Sequence, residues 1–233
     1  MSSYKFILSG GGTGGHIYPA IAIAQGLEKA YPNASFLFVG ALGKMEMKKV
    51  PEAGYAIKGL WISGLSRKLS VALLVFPFKL LWSLWQSFFI LLRVRPDLVI
   101  GTGGYASAPL LKMAQWLGFP TLIQEQNSYA GVTNKWLSKK AKAICVAYPN
   151  MEKYFPETAL VYSGNPIRAG IQYELPPKEK GFTEFKFQSN LPVLLVLGGS
   201  LGAKRINAFI ASQLSYFDSQ GIQLLWQCGA LYY

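Results

Sequence analysis

The tightest constraint on the fold is a unit that recurs along the chain: a short apolar run, a glycine-rich turn, then an amphipathic stretch with helical spacing. It first occurs as Lys5–Ser9, Gly10–Gly15 and Ile17–Ala30, where Tyr31-Pro32-Asn33 stops the helix. A strand is predicted at Ser35–Val39. The unit returns as Pro96–Ile100, the turn Gly101-Thr102-Gly103-Gly104, a helix from Pro109 to Leu117 and a strand from Pro120 to Ile123. Each predicted strand is short and continuously apolar, as a parallel sheet covered on both faces requires, so the rhythm predicts an α/β fold.

Alternation continues through a predicted strand at Ala143–Val146. The segment Val161–Arg168 then leads into a charged, proline-containing stretch, Tyr173–Asn190, which reads as a domain junction. A fresh unit follows: strand Val193–Leu197, turn Gly198–Gly202, helix Ala203–Leu214 and strand Gln223–Trp226. One crossover and two strands do not make a stable open sheet. The expected organisation is therefore a first Rossmann-like domain over 1–165 and the beginning of a second over 166–233.

Gly10, Gly12 and Gly15 satisfy G-x-G-x-x-G between a strand and a helix, which nominally suggests a dinucleotide. That fingerprint also needs an acid at the end of the second strand, and Val39-Gly40-Ala41-Leu42 carries none, so no cofactor is predicted. The glycines still supply close backbone approach and free amides at a helix N-terminus, suited to a phosphate or a developing oxyanion. The turn Gly198–Gly202 offers the same, with the Ser200 hydroxyl added. His16 is the only histidine; at a helix N-terminus its pKa is expected to fall, which favours the neutral, proton-accepting imidazole. Two readings stand for it, a general base or an orienter of the loop. Glu125 is a competing base, or a structural partner for lysines or backbone amides. The only aspartates, Asp97 and Asp218, lie far apart, so no metal site of the D-x-D kind is predicted. The charge of a leaving diphosphate would then fall to helix N-termini, Ser200 and Arg168.

Lys and Arg number 23 against 11 Asp and Glu, a net charge of +12 that implies an anionic partner: nucleic acid, an anionic lipid surface or a phosphorylated substrate. No nucleic-acid motif accompanies the charge, so nucleic acid is not expected. An apolar content of 51% excludes disorder. Cys145 and Cys228 fit neither a metal-ligand spacing nor a disulfide framework and read as buried reduced thiols. The start, Met1-Ser2-Ser3-Tyr4-Lys5, shows no secretion signal. Leu69–Leu92 is nearly all apolar and long enough to raise the question of a membrane span. Lys79 near its middle would cost about 2.5–3.5 kcal/mol in a bilayer, Pro77 is expected to interrupt the helix, and Ser83, Gln86 and Ser87 add polar atoms. Besides a span, the segment reads as a core helix, or as a docking surface in which Leu74, Phe78, Trp82 and Trp85 meet lipid beside Arg67, Lys68, Lys79, Arg93 and Arg95.

Several motifs, in order, resemble those of the MurG family of bacterial glycosyltransferases. They are Gly11-Gly12-Thr13-Gly14-Gly15-His16 with Tyr18-Pro19-Ala20, Gly101-Thr102-Gly103-Gly104-Tyr105, and Glu125-Gln126-Asn127 with Gly131-Val132-Thr133-Asn134-Lys135. Gly164-Asn165-Pro166-Ile167-Arg168 and Gly198-Gly199-Ser200-Leu201-Gly202-Ala203 complete the set. The resemblance implies a GT-B fold of two Rossmann-like domains. It also implies inverting transfer of N-acetylglucosamine from UDP-N-acetylglucosamine to the 4-hydroxyl of the muramyl sugar of lipid I, giving lipid II for peptidoglycan. The location implied is the cytoplasmic face of the inner membrane, peripheral and against anionic lipids.

Carried over, Thr13, Gly14 and Gly15 would sit where donor and acceptor meet, and Asn127 would contact the donor sugar. Arg168 and Ser200 would hold the donor diphosphate, while Gly12, Gly103, Gly104 and Tyr105 would form the loops for the acceptor diphosphate. Gln124 stands where many members have histidine. The family's second domain continues beyond the position of Tyr233 with a uracil pocket, so the chain reads as C-terminally shortened. An inactive, membrane-associated module that binds lipid-linked substrate is the alternative from a different functional class.

Overall fold

In the computed structural model, which describes residues 3–64, 71–168, 170, 175–199 and 202–233, the chain divides into two compact units, Met1–Gln172 and Tyr173–Tyr233. The first is built on seven parallel strands: β1 (Lys5–Gly10), β2 (Ser35–Ala41), β3 (Ala56–Leu60), β4 (Leu98–Gly103), β5 (Thr121–Glu125), β6 (Ala143–Val146) and β7 (Leu160–Tyr162). Their order is β3-β2-β1-β4-β5-β6-β7. Among the described residues, this unit carries the α-helices α1 (Gly14–Ala30), α2 (Glu46–Glu52), α3 (Val71–Val94), α4 (Ser107–Trp116) and α5 (Val132–Ser138), and a 3-10 turn at Glu157–Ala159.

Alternation along the strands sorts their side chains onto two faces. Phe6, Leu8, Phe38 and Ile100 pack with Ile17, Ala20, Ile21 and Ala24 of α1, while Ile7, Val39, Val99 and Ile123 pack with Leu91, Leu110 and Leu137 of α3, α4 and α5. Both faces being covered, β1 and β4 carry continuous apolar runs, Phe6–Leu8 and Leu98–Ile100, rather than an alternating pattern. Strand order reverses between β1 and β4, and Gly10 pairs with Gly103 there. The turns leaving these two strands therefore start side by side, at the topological switch point where open α/β sheets place their ligands.

Helix α1 starts three residues before the expected Ile17. Thr13 is its N-cap, and the Thr13 carbonyl accepts from His16 N and Ile17 N at 3.1 and 3.2 Å. Pro77 does not interrupt α3, contrary to expectation: the helix runs through it to Val94. A proline removes one helical hydrogen bond, and packing of Ile90 and Leu91 into the core holds the rest of the helix in place. Cys145 and Cys228 are free and half-buried rather than buried.

The second unit contains β8 (Val193–Leu197) and β9 (Gln223–Gln227), paired in parallel, with α6 (Lys178–Glu184), α7 (Lys204–Ser212) and α8 (Leu214–Ser219). The stretch expected to be a domain junction thus holds α6, and the helix expected from Ala203 to Leu214 is broken at Gln213 into α7 and α8. Arg168 belongs to the first unit, whose limit lies at Gln172.

Candidate active site

Two turns and one loop of the first unit build a concave site. The β1–α1 turn carries His16, half-buried in the first turn of α1. Its Nδ1 lies 3.0 Å from Thr13 Oγ1, and its carbonyl accepts from Thr102 Oγ1 at 2.6 Å, so ring and backbone are both held. Gly103 and Gly104 of the β4 turn have φ of +98° and +80°, conformations that favour glycine. A Cβ on Gly103 would stand 2.9 Å from His16 Cδ2, and one on Gly104 would strike the Gly11 carbonyl, so the two turns meet only because both residues are glycine. Burial pushes the His16 imidazole below its ordinary pKa, while Glu125, the Gly11 backbone and Glu46 pull more weakly the other way. The expected direction holds, with burial as its leading cause.

The third component is the loop after β5. Glu125 is buried, and both of its oxygens are occupied as acceptors. Oε1 takes Asn127 N at 3.1 Å and Asn127 Nδ2 at 2.9 Å, and Oε2 takes Gly131 N and Asn134 Nδ2, each at 2.9 Å. Four donors fill the acceptor positions of a carboxylate, which fixes residues 125–134 as a rigid loop. His16, Gly103, Gly104, Glu125, Asn127 and Gly131–Asn134 line a depression of about 190 Å³. Asn134 Oδ1 is buried there with no partner among the described residues, leaving an acceptor for a ligand hydroxyl.

Gln124 is not part of this site. Successive residues of a strand point to opposite faces, so Gln124 lines a separate, largely apolar pocket with Ile23, Leu27 and Cys145. Tyr105 leans over the first turn, its ring 3.0 Å from where a Gly12 Cβ would be; burial and Glu46 raise its phenol pKa. Arg168 stacks on the Tyr18 ring at 4.2 Å and lines a groove along α1 with Gln25 and Lys49, outside the His16 depression. Thr13 and Gly15 are exposed at the rim, and Gly14 is buried beneath them. Ser200 lies outside the described residues.

Glu46, in the first turn of α2, was not singled out in the sequence, yet its fully buried carboxylate accepts from Gly12 N at 3.1 Å and Ala41 N at 3.0 Å. The only sequence signal for it is an acid a few residues beyond the point at which a ribose-binding acid is sought.

Helix α3 turns an apolar face outward. Leu74, Phe78, Leu81, Trp82, Trp85 and Phe89 are exposed, Leu74 by 73% and Phe78 by 69%, while Ser83 and Ser87 are buried and satisfy their hydroxyls on the Leu80 and Ser83 carbonyls. Lys79 reaches Ser63 Oγ at 3.3 Å and lies over the Trp61 ring. The stretch Leu74–Val94 has the length and composition to cross a membrane, but one of its faces packs on the sheet and α4.

Comparison with known proteins locates this architecture. The glycosyltransferase family 28 N-terminal domain matches residues 6–146, more than half of the chain. The chain belongs to glycosyltransferase family 28. Among curated proteins of this kind, a Flavobacterium psychrophilum protein is 56% identical over the whole chain and a Cytophaga hutchinsonii protein 54% identical over 99% of it. Both are named UDP-N-acetylglucosamine--N-acetylmuramyl-(pentapeptide) pyrophosphoryl-undecaprenol N-acetylglucosamine transferase. The chain spans 64% and 62% of their lengths. The crystal structure of Acinetobacter baumannii MurG is similar over 97% of this chain and 61% of its own, with 30% identity and a TM-score of 0.69. A Rickettsia africae glycosyltransferase superposes with a TM-score of 0.70 over the whole chain and 70% of its own, at 12% identity that shows the fold alone. The resemblance to the MurG family and the expected GT-B class of fold are borne out by these relatives.

Proposed function

We propose that the protein carrying this sequence is an inverting hexosyltransferase that moves N-acetylglucosamine from UDP-N-acetylglucosamine to the 4-hydroxyl of the muramyl sugar of lipid I, forming lipid II in peptidoglycan synthesis. The observation that carries the reading is the His16 depression: a half-buried imidazole whose pKa is lowered by burial, beside a loop that Glu125 holds rigid. Inverting transfer needs a base for the acceptor hydroxyl, an aligned anomeric carbon and a stabilised leaving diphosphate. His16 is the base in this reading. In the tautomer with the proton on Nδ1, facing Thr13 Oγ1, Nε2 is the acceptor, on the edge of the ring that lies against Gly103. Glu125 has no acceptor position to spare and serves to position Asn127 and Asn134, with Asn127 meeting the donor sugar.

The amides of Thr13, Gly14 and Gly15 at the start of α1 meet the reacting groups, and the turns at Gly12, Gly103, Gly104 and Tyr105 surround the acceptor diphosphate. Arg168 and Ser200 serve the donor diphosphate; the stacking of Arg168 on Tyr18 leaves its planar fork available for phosphate oxygens. The outward apolar face of α3 supports docking on the cytoplasmic face of the inner membrane, against anionic lipids that answer the +12 charge.

The test is transfer of radiolabelled N-acetylglucosamine from the UDP donor to a lipid I analogue by the protein at the full length of its relatives. Labelled lipid II is the expected product. Retained binding of the lipid-linked acceptor with no transfer would replace this reading by that of a binding module.

A further inference from the structure

We infer that Glu46 is a positioning residue for the proposed transfer: its buried carboxylate clamps the first glycine-rich turn in the conformation that seats His16 against Gly103. The inference rests on the reading of the His16 depression as the site of acceptor activation. In a dinucleotide-binding unit, an acid at the tip of the second strand faces the first turn and is spent on a ribose. In this chain the tip of β2 has no acid, but the loop that follows brings Glu46 back to the same place, and there the carboxylate is spent on the protein. One oxygen accepts from Ala41 N, at the tip of β2; the other accepts from Gly12 N, in the turn. A single side chain thus ties the end of one strand to the loop leaving its neighbour.

The surrounding glycines are shaped by this side chain. A Cβ on Gly11 would overlap Glu46 Oε1, and one on Gly40 would lie 2.5 Å from Glu46 Cγ. Neither residue is among the glycines with positive φ, so the room they leave, rather than their backbone conformation, is what requires glycine there. Gly12 does have a positive φ, +86°, and is held from the other side by the Tyr105 ring. The turn is gripped between an aromatic ring and a carboxylate. Because Glu46 is wholly buried and uses up the Gly12 amide, it acts on substrate only through the turn and through its charge, which is felt at both His16 and Tyr105.

Glu46→Gln in the full chain separates this role from general stability. Glutamine keeps the size but offers one acceptor oxygen where two N–H groups need one each. In amide hydrogen-exchange NMR, exchange at Gly12 is expected to quicken about tenfold or more while core amides such as Leu110 keep their protection. The imidazole resonances of His16, unambiguous because it is the only histidine, are expected to titrate at lower pH than in the unaltered chain. Gly40→Ala, which displaces the Glu46 side chain without altering its chemistry, is expected to loosen Gly12 in the same way. Unchanged Gly12 exchange and unchanged His16 titration in both variants would overturn the inference. So would loss of core protection in both, since Glu46 would then hold the whole domain rather than the turn. Failure of His16 as the base would show in a transfer assay and leave these amide readouts untouched, so the two ideas fail separately.

Discussion

His16 and Glu125 both stand in the sequence as candidate bases, and their hydrogen bonds separate them. Glu125 is saturated by four donors from its own loop, whereas His16 is bonded at Nδ1 and borders the depression. Glu125→Gln would set an NH2 group against N–H donors, and a buried donor without an acceptor costs about 1–3 kcal/mol. Chemical denaturation of this variant should show a loss of that size; an unchanged midpoint would mean that the loop is not organised by the carboxylate. The pH dependence follows from His16. Its folded-state pKa lies below 6.5, so the base form predominates at neutral pH and is lost as pH falls through that lowered value. The kcat/KM for transfer should therefore be flat above neutrality and drop on acidification with a midpoint below 6.5; a midpoint above it would contradict the burial seen here. The lowering of the His16 pKa contributes stability that is present above 6.5 and is lost as pH falls through the lowered value. His16 and the glycines were legible because their chemistry is local to a turn. Glu46 was not, since only the fold brings α2 beneath that turn, and Gln124 was placed away from the site only once the facing of β5 was known.

At the scale of elements, the apolar strands and their glycine turns were readable to within a few residues, because a doubly covered sheet leaves a continuous apolar run. Strands β3 and β7 escaped: Ala56–Leu60 includes Lys58 and two half-buried positions at one sheet edge, and Leu160–Tyr162 is only three residues long at the other, so both lack that run. Short helices α2 and α5 gave too few turns to show a period. Helix α3 is the reverse case, unmistakable as an apolar segment but ambiguous in purpose until its outward face was seen. Replacing Leu74, Phe78 and Trp85 together by polar residues removes no core contact, so stability should stay within about 0.5 kcal/mol per site. Co-sedimentation with vesicles containing anionic lipid should fall sharply in that variant. Undiminished binding would assign the membrane affinity elsewhere.

For the molecule as a whole, the sequence rhythm disclosed two α/β units, and the family match accounts for the first of them. The chemistry assigned to the site uses groups from three separate connections, after β1, β4 and β5, which converge because strand order reverses between β1 and β4. No stretch of sequence contains that convergence; it is a product of topology. The central claim is that the converged site activates the acceptor hydroxyl through His16. The direct measurement is kcat for transfer of labelled N-acetylglucosamine to a lipid I analogue by the full-length protein carrying His16→Ala, with folding checked by circular dichroism. General-base catalysis contributes about 10²- to 10⁴-fold, and a loss in that range is predicted. Turnover equal to that of the unaltered protein, in a variant that is folded, would contradict it.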